Sequence, residues 1–330
     1  MDLPEPLRAA LEDALQGSGK AAARASADLS RRYRSSHGRS SRPLTLSDED
    51  AAAYAVYRLP ATYAAIAAVL REVRNRMPAW QPRTLLDVGA GPGTTVWAAT
   101  QVWPGIEAAT LVERDRRMMA VGKRLLQDGR RSHSLAVEWR RADLLGGWEA
   151  EPHDLVVAAY VLGELPGPAR REVVDGLRAR TGGVLAIVEP GTPLGFELVR
   201  EARDRLRGGG GSIIAPCPHD GTCPMAGGDW CHFAQRLNRS RLHRSVKAGS
   251  LAYEDEKFSY VALSRTPGDA IAGRIVRHPQ VRGGHVHLEL CTPAGLEHRI
   301  VPRRDRDLFR QARDARWGGV FPAHSADEPR

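Results

Sequence analysis

Hydrophobic and polar positions follow three successive rhythms along this chain. Over roughly the first 80 residues the spacing is helical. Residues 1–28 read as an amphipathic helix, and SDEDAAAYAVYRLPATYAAIAAVLREVRNRM (47–77) continues the pattern. Ser47 with Asp50 is a helix start signal, and Pro60 predicts a break into two helices. From residue 83 the rhythm changes. Apolar runs of strand length (RTLLDV, EAATLVE, LAVEW, HDLVVAAYVL and GGVLAIVEP) alternate with helical stretches such as MMAVGKRLL and PGPARREVVDGLRAR. That alternation predicts a parallel sheet covered on both faces. KFSYVALSR (257–265) is expected to be a late strand of the same sheet. Between 270 and 304 three alternating β runs predict a small sheet or barrel, and 305–321 reads as a closing helix. The predicted organisation is a helical region at 1–80, an α/β core at 81–265 that includes a loop at 208–250, and a small β-rich extension at 266–330.

Composition adds limits. Hydrophobic residues make up 42% of the chain, enough for a packed core. No apolar run approaches the roughly 18–20 residues that span a bilayer. The opening MDLPEPLRAALEDALQ lacks the order of a signal peptide and the acid-poor character of a transit peptide. A cytoplasmic protein with no membrane partner is therefore expected. In a reducing compartment four cysteines point to metal or catalysis rather than to disulfides. The net charge is +9, and only four of the 48 basic residues are lysines. Arginine's planar fork suits phosphate, so nucleic acid is a plausible partner, although base composition of a genome produces the same skew. SRRYRSSHGRSSR (30–42) reads either as a solvated linker or as an arm on RNA phosphates. QRLNRSRLHRSVKAG (235–249) places Arg236, Arg239, Arg241, Arg244 and Lys247 in one short segment, largely at helical spacing. A charge run is usually a solvated face. Here it follows directly on a cysteine-rich loop, which favours RNA contact.

LLDVGAGPG carries Asp87, Gly89, Gly91 and Gly93 between a predicted strand and a predicted helix. A G-x-G-x-G alone is a weak signal, since glycines also serve ordinary turns. Its setting strengthens it. Glu113 ends the next strand, where such folds place an acid that accepts from ribose hydroxyls. NAD would also explain a glycine loop, but an Asp before the first glycine resembles motif I of class I S-adenosylmethionine (SAM) methyltransferases. Asp143 follows a further strand, where that superfamily commonly contacts adenine; otherwise it caps a turn. After the fourth strand this chain has AAYVLGEL, without the Asn-Pro-Pro-aromatic motif of base N-methyltransferases. Tyr160 and Glu164 either line a substrate mouth or pack and cap a loop.

Cys217, Cys223 and Cys231 fall within IIAPCPHDGTCPMAGGDWCHF, and Cys291 lies far downstream. Structural zinc sites usually show tighter C-x2–4-C pairs. Wider gaps, with Pro218 and Pro224 behind two cysteines and Gly221, Gly227 and Gly228 nearby, suit a chain wrapping a bulkier group. Four thiolates are the full set for an iron–sulfur cluster. Zinc remains the competitor, with His219 and His232 as substitute ligands.

The stretches LLDVGAGPGT, VEPGTP, APCPHDGTCPM…DWCHF and RLHRSVKAG…YEDEKFSYVALSR together resemble the ribosomal small-subunit methyltransferase-like family, over roughly residues 50–320. The resemblance implies a class I SAM-methyltransferase (Rossmann-like) α/β core with a helical N-terminal region, a metal-cluster loop and a small β-rich C-terminal extension. It implies a 4Fe-4S cluster on cysteines matching Cys217, Cys223, Cys231 and Cys291. It also implies association with the small ribosomal subunit and its rRNA, as methyltransferase or assembly factor; no DNA is expected. The alternative is a methyltransferase for a small molecule or protein, with a structural zinc site.

Overall fold

A computed structural model describes residues 1–14, 48–129, 135–239 and 252–322. The chain opens with α1 (Glu5–Ala14) and the long α2 (Asp48–Arg76). The α/β part follows as β1 (Thr84–Val88), α3 (Thr94–Val102), β2 (Ala108–Glu113), α4 (Arg116–Gly129), β3 (Ala136–Arg141), β4 (His153–Ala159), α5 (Gly167–Ala179), β5 (Thr181–Pro190), α6 (Pro193–Arg207), β6 (Ser212–Ala215), β7 (Phe233–Asn238) and β8 (Tyr253–Ser264). The C-terminal part holds β9 (Arg274–Ile275), β10 (Gln280–Val281), β11 (His285–Thr292), β12 (Gly295–Pro302) and α7 (Arg306–Asp314).

The larger sheet runs β3-β2-β1-β4-β5-β8-β6, with β7 also on β8. Strands β3, β2, β1, β4 and β5 are parallel, and β8 lies antiparallel to β5. This is the Rossmann-like order of a class I methyltransferase core. Alternate residues of each strand feed opposite layers. Leu85, Leu111, Val157 and Ala186 pack against α2, α3 and α4, whereas Leu86, Val112, Val156 and Ile187 pack against α5 and α6. Both faces are buried, as a parallel sheet requires.

Two local expectations fail, each for a tertiary reason. Helix α2 runs straight through Pro60. Val56, Leu59, Ala61 and Tyr63 around it are all buried, and that packing outweighs the lost backbone hydrogen bond. Residues 233–238 form strand β7 rather than a helix. Their partner is the acid-rich start of β8, with Arg236 opposite Asp255.

The edge of the sheet is interrupted. β6 pairs with residues 262–264 of β8 and β7 with residues 253–258, both antiparallel. They are two halves of one edge strand, and the cysteine loop, residues 216–232, is the excursion between them. The C-terminal strands form a separate four-stranded sheet whose core of Val286, Leu288, Leu290 and Val301 packs under α7.

Candidate functional sites

The glycine loop is shaped from its own neighbourhood. Gly89, Gly91 and Gly93 all have positive φ, at 72°, 53° and 77°. The amides of Gly89 and Ala90 donate to Val112 O, fastening the loop to β2. The three glycines do different work. A Cβ on Gly89 would stand 2.6 Å from Val161 Cγ2, and one on Gly93 would meet Leu111 at 3.2 Å, so both face protein. A Cβ on Gly91 would meet nothing within 4 Å. Gly91 alone faces open space.

Glu113 stands at the end of β2. Its Oε2 accepts from Gly91 N–H and its Oε1 from Asp115 N–H, each at 2.8 Å. Burial raises its proton affinity, and these two amides oppose the rise. Each oxygen keeps a second lone pair for a hydroxyl. Asp87 is fully buried in β1. Thr95 Oγ1 donates to its Oδ1 at 2.9 Å, while its Oδ2 has no partner. Burial pushes this carboxyl up to about 7. Asp143 is exposed and accepts from Leu145 N–H at 3.0 Å, which is the turn-capping role.

Beyond β4 stand Tyr160 and Glu164, read in the sequence either as a substrate mouth or as loop packing, and Glu189, which no sequence pattern announced. Tyr160 has φ 59°, a conformation costing a non-glycine residue about 1–3 kcal/mol. Its hydroxyl donates to Glu256 Oε1 at 3.0 Å, and Arg58 from α2 donates to the same oxygen. Glu189 is buried in β5 and accepts from the amides of Val161 and Leu162. Burial pushes it to about 8. Glu164 pairs with Arg114 at 3.0 Å.

The second site is a cavity between α6, β8 and the C-terminal sheet. Cys217, Cys223, Cys231 and Cys291 all line it, with Arg203 and Tyr260. Two buried arginines hold its wall. Arg203 Nε donates to Cys217 Sγ at 3.3 Å, and its Nη2 donates to the carbonyls of His219 and Gly221. Arg274 donates to Pro216 O and Gly318 O and pairs with Glu72 of α2. Burial raises the proton affinity of Cys217 and Cys231 and, with Cys217 and Cys223 nearby, pushes Cys291 up to about 12. His219 Nε2 lies 3.7 Å from Cys291 Sγ. His232 is stacked on Trp230 and meets Trp317 edge-on, and is not among the residues that line the cavity.

Among the described residues no three His, Cys, Asp or Glu side chains are arranged to hold a single metal ion. Sulfurs around one zinc stand about 3.8 Å apart, from Zn–S bonds of about 2.3 Å. The four thiols therefore share a cavity without closing on one atom. Of the basic set, Arg236 pairs with Asp255 at 2.8 Å and stacks on Tyr253, and Arg239 pairs with Glu254 at 2.9 Å. Arg241, Arg244 and Lys247, like residues 30–42, lie outside the described residues.

With both sites in view, comparison with known proteins is decisive. The family described as mitochondrial small ribosomal subunit Rsm22 matches residues 48–322. The chain belongs to the Rsm22 family. The human mitochondrial ribosome assembly protein METTL17 is 35% identical over 288 residues, covering 82% of this chain and 62% of its own length. The mitochondrial Rsm22-cox11 tandem protein 2 of Schizosaccharomyces pombe is 26% identical over 334 residues, covering 84% of this chain and 44% of its own. The chain thus spans less than two thirds of either relative. Among solved structures, the SAH-bound magnesium protoporphyrin IX methyltransferase of Synechocystis PCC 6803 is 13% identical, covers 72% of this chain and 93% of that one, and superposes with a TM-score of 0.42. The fold is read from the strand order rather than from that superposition.

The Rsm22-family relatives overturn the cytoplasmic placement, since they are mitochondrial proteins. The physical reason is visible in α1: Leu7, Ala10 and Leu11 are buried in the main core, so the composition of this segment reports packing, not address. Among the described residues no helix is long and apolar enough to cross a membrane.

Proposed function

We propose that this Rsm22-family chain binds SAM at its glycine loop, carries a 4Fe-4S cluster in its cysteine cavity, and serves ribosome assembly by contacting small-subunit rRNA. One observation carries the reading: four cysteines, three from a loop and one from a distant sheet, line a single cavity walled by Arg203 and Arg274. Four thiolates are the complement of a cubane cluster. Its oxidised form with four thiolates carries a charge of about −2; the buried Arg203, which donates to Cys217 Sγ, offsets part of it, while Arg274 is already paired with Glu72. Burial raises the proton affinity of Cys217, Cys231 and Cys291, and thiols release protons as metal enters, so loading and closure of the loop are coupled. The cluster supplies a rigid tie between loop and C-terminal sheet.

For SAM, the support is the open space at Gly91 beside the Glu113 carboxylate. When bound, SAM supplies a methyl group on a cationic sulfur. The chain's part is to seat the ligand's backbone-facing side at Gly91 and to accept a ribose hydroxyl at Glu113. For rRNA, the support is the human relative's role in ribosome assembly and the arginine-bearing segment that begins in β7, where Arg236 is exposed. The Arg236–Asp255 pair is exposed, and exposed pairs exchange readily for phosphate because each is worth little.

The test begins with protein purified without oxygen. The wild type should be brown and contain four irons and four sulfides per chain, in keeping with the cubane stoichiometry. Cys291→Ser should lose iron, and the 216–232 loop should become sensitive to protease. Full iron in that variant, or a colourless zinc-loaded wild type, overturns the cluster. RNA crosslinked to the protein in cells and sequenced should be small-subunit rRNA, with binding that weakens steeply as salt rises. Recovery of no rRNA overturns the ribosomal role.

A further inference from the structure

A separate cluster of metal-binding side chains lies on the C-terminal sheet and takes no part in either site above. Along β11, His285, His287 and Glu289 alternate with the buried Val286, Leu288 and Leu290. In the register with β12, His287 is opposite Ile300 and Glu289 opposite His298. His298 is therefore the diagonal neighbour of His287. Its Nδ1 lies 2.5 Å from Glu289 Oε1, and its Nε2 lies 3.0 Å from His287 Nδ1. The His285 and His287 rings meet edge-on, with centroids 4.7 Å apart.

Proton placement follows from the acceptor. A carboxylate only accepts, so the hydrogen of a neutral His298 sits on Nδ1 and its Nε2 carries a lone pair. A carboxylate behind one imidazole nitrogen is how metal-ligating histidines are usually held. His287 Nδ1 carries a hydrogen in the metal-free form. Moving that hydrogen to the ring's Nε2 leaves two lone pairs facing each other. Ligand nitrogens on a tetrahedral zinc, with Zn–N of about 2.0–2.1 Å, stand about 3.3–3.4 Å apart, so the rings need part by only a few tenths of an ångström. Burial, and then His285, His298 and Arg282, lower the proton affinity of His287 and favour the neutral ring.

We infer that His287 Nδ1 and His298 Nε2 form a clasp for a divalent transition ion such as zinc, oriented by Glu289 and completed by His285 or water. No three such side chains already converge among the described residues, so the remaining ligands come from rotation of His285 or from solvent. The site is open: the His298 side chain is 48% exposed. Unlike the cysteine cavity, it leaves positions for a ligand from outside. It also bridges β11 to β12 on the strand that carries Cys291.

The test titrates zinc into the full chain as purified, leaving in place whatever its cysteines hold. Calorimetry counts equivalents, and nitrogen NMR reads the imidazoles. The first added equivalent is expected to shift the ring nitrogens of His287 and His298. His287→Gln and His298→Gln should each abolish that equivalent with iron content unchanged. Glu289→Gln should weaken it about 10–100-fold. If zinc leaves both rings unmoved in the wild type, or the variants keep the same equivalents at the same affinity, there is no clasp.

Discussion

At the glycine loop, the contacts that shape the site lie mostly within residues 87–115, with Leu126, Trp139 and Val161 as the more distant neighbours. At the cysteine cavity they reach from Glu72 to Gly318. The first site is a turn between a strand and a helix, and the sheet delivers it once β1 and β2 pair. The second exists only when α2, α6, the 216–232 loop and the C-terminal sheet have all docked. Damage to the first should therefore stay local, whereas damage to the second should spread.

The largest effect that sharpens this contrast is expected from Arg274→Met. It strips two carbonyls of their donor and leaves Glu72, 17% exposed, without its partner. Removing one member of a buried pair costs about 3–5 kcal/mol. Urea unfolding should show that loss, and the cluster proposed for the cavity should be lost with it. A variant of wild-type stability would mean that the two halves of the molecule are joined elsewhere.

Next come two substitutions in one loop. Gly89→Ala drives a Cβ into Val161 from a left-handed backbone, and should cost about 1–3 kcal/mol through overpacking on top of roughly 1–2 kcal/mol for the backbone. Gly91→Ala meets no protein atom, so only its left-handed backbone resists, at roughly 1–2 kcal/mol. On the proposed binding mode, SAM affinity should nevertheless fall further in Gly91→Ala, because the added methyl would enter the open space assigned to the ligand. Equal effects on affinity in both variants, measured by calorimetry, would erase the distinction.

The smallest effect is a slope. Asp87 is pushed to about 7 in the fold, against roughly 3.9 in an unfolded chain. Between those values the folded chain binds the extra proton, so stability falls as pH rises from about 4 to about 7 and then levels off. Asp87→Asn should flatten that part of the curve and leave the part due to Glu189, which titrates at about 8. An unchanged slope would show that Asp87 is ionised in the fold.

The same contrast governs what could be read in advance. The glycine loop and the strand–helix alternation were legible because their signals are local, and so was the crowding of three cysteines. Arg203 and Arg274 were not: nothing in their spacing separates them from the arginines on the surface, and only burial does. The position of Tyr160 after β4 fits a substrate mouth or loop packing, but its left-handed backbone and its bond to Glu256, 96 residues away, carry no sequence mark. The 235–249 segment looked helical because its charges recur at helical spacing, yet β8 offered Asp255 and Glu254 as cross-strand partners and drew its start into the sheet. Pro60 misled for the opposite reason, since a local rule was overruled by packing.

The interrupted edge has a consequence for solubility. Between the stretches of β8 paired by β6 and by β7, residues 259–261 have no strand beside them on that side among the described residues. What covers the gap is the cysteine loop, with Ser259 Oγ donating to Cys231 O at 2.8 Å. Peel the loop away and a raw strand edge, flanked by Tyr260 and Val261, is offered to any other chain with an edge of its own. If the loop is held by the proposed cluster, iron starvation would then be felt first as self-association. Light scattering that grows with protein concentration in Cys291→Ser, and stays flat in the iron-loaded wild type, would report it.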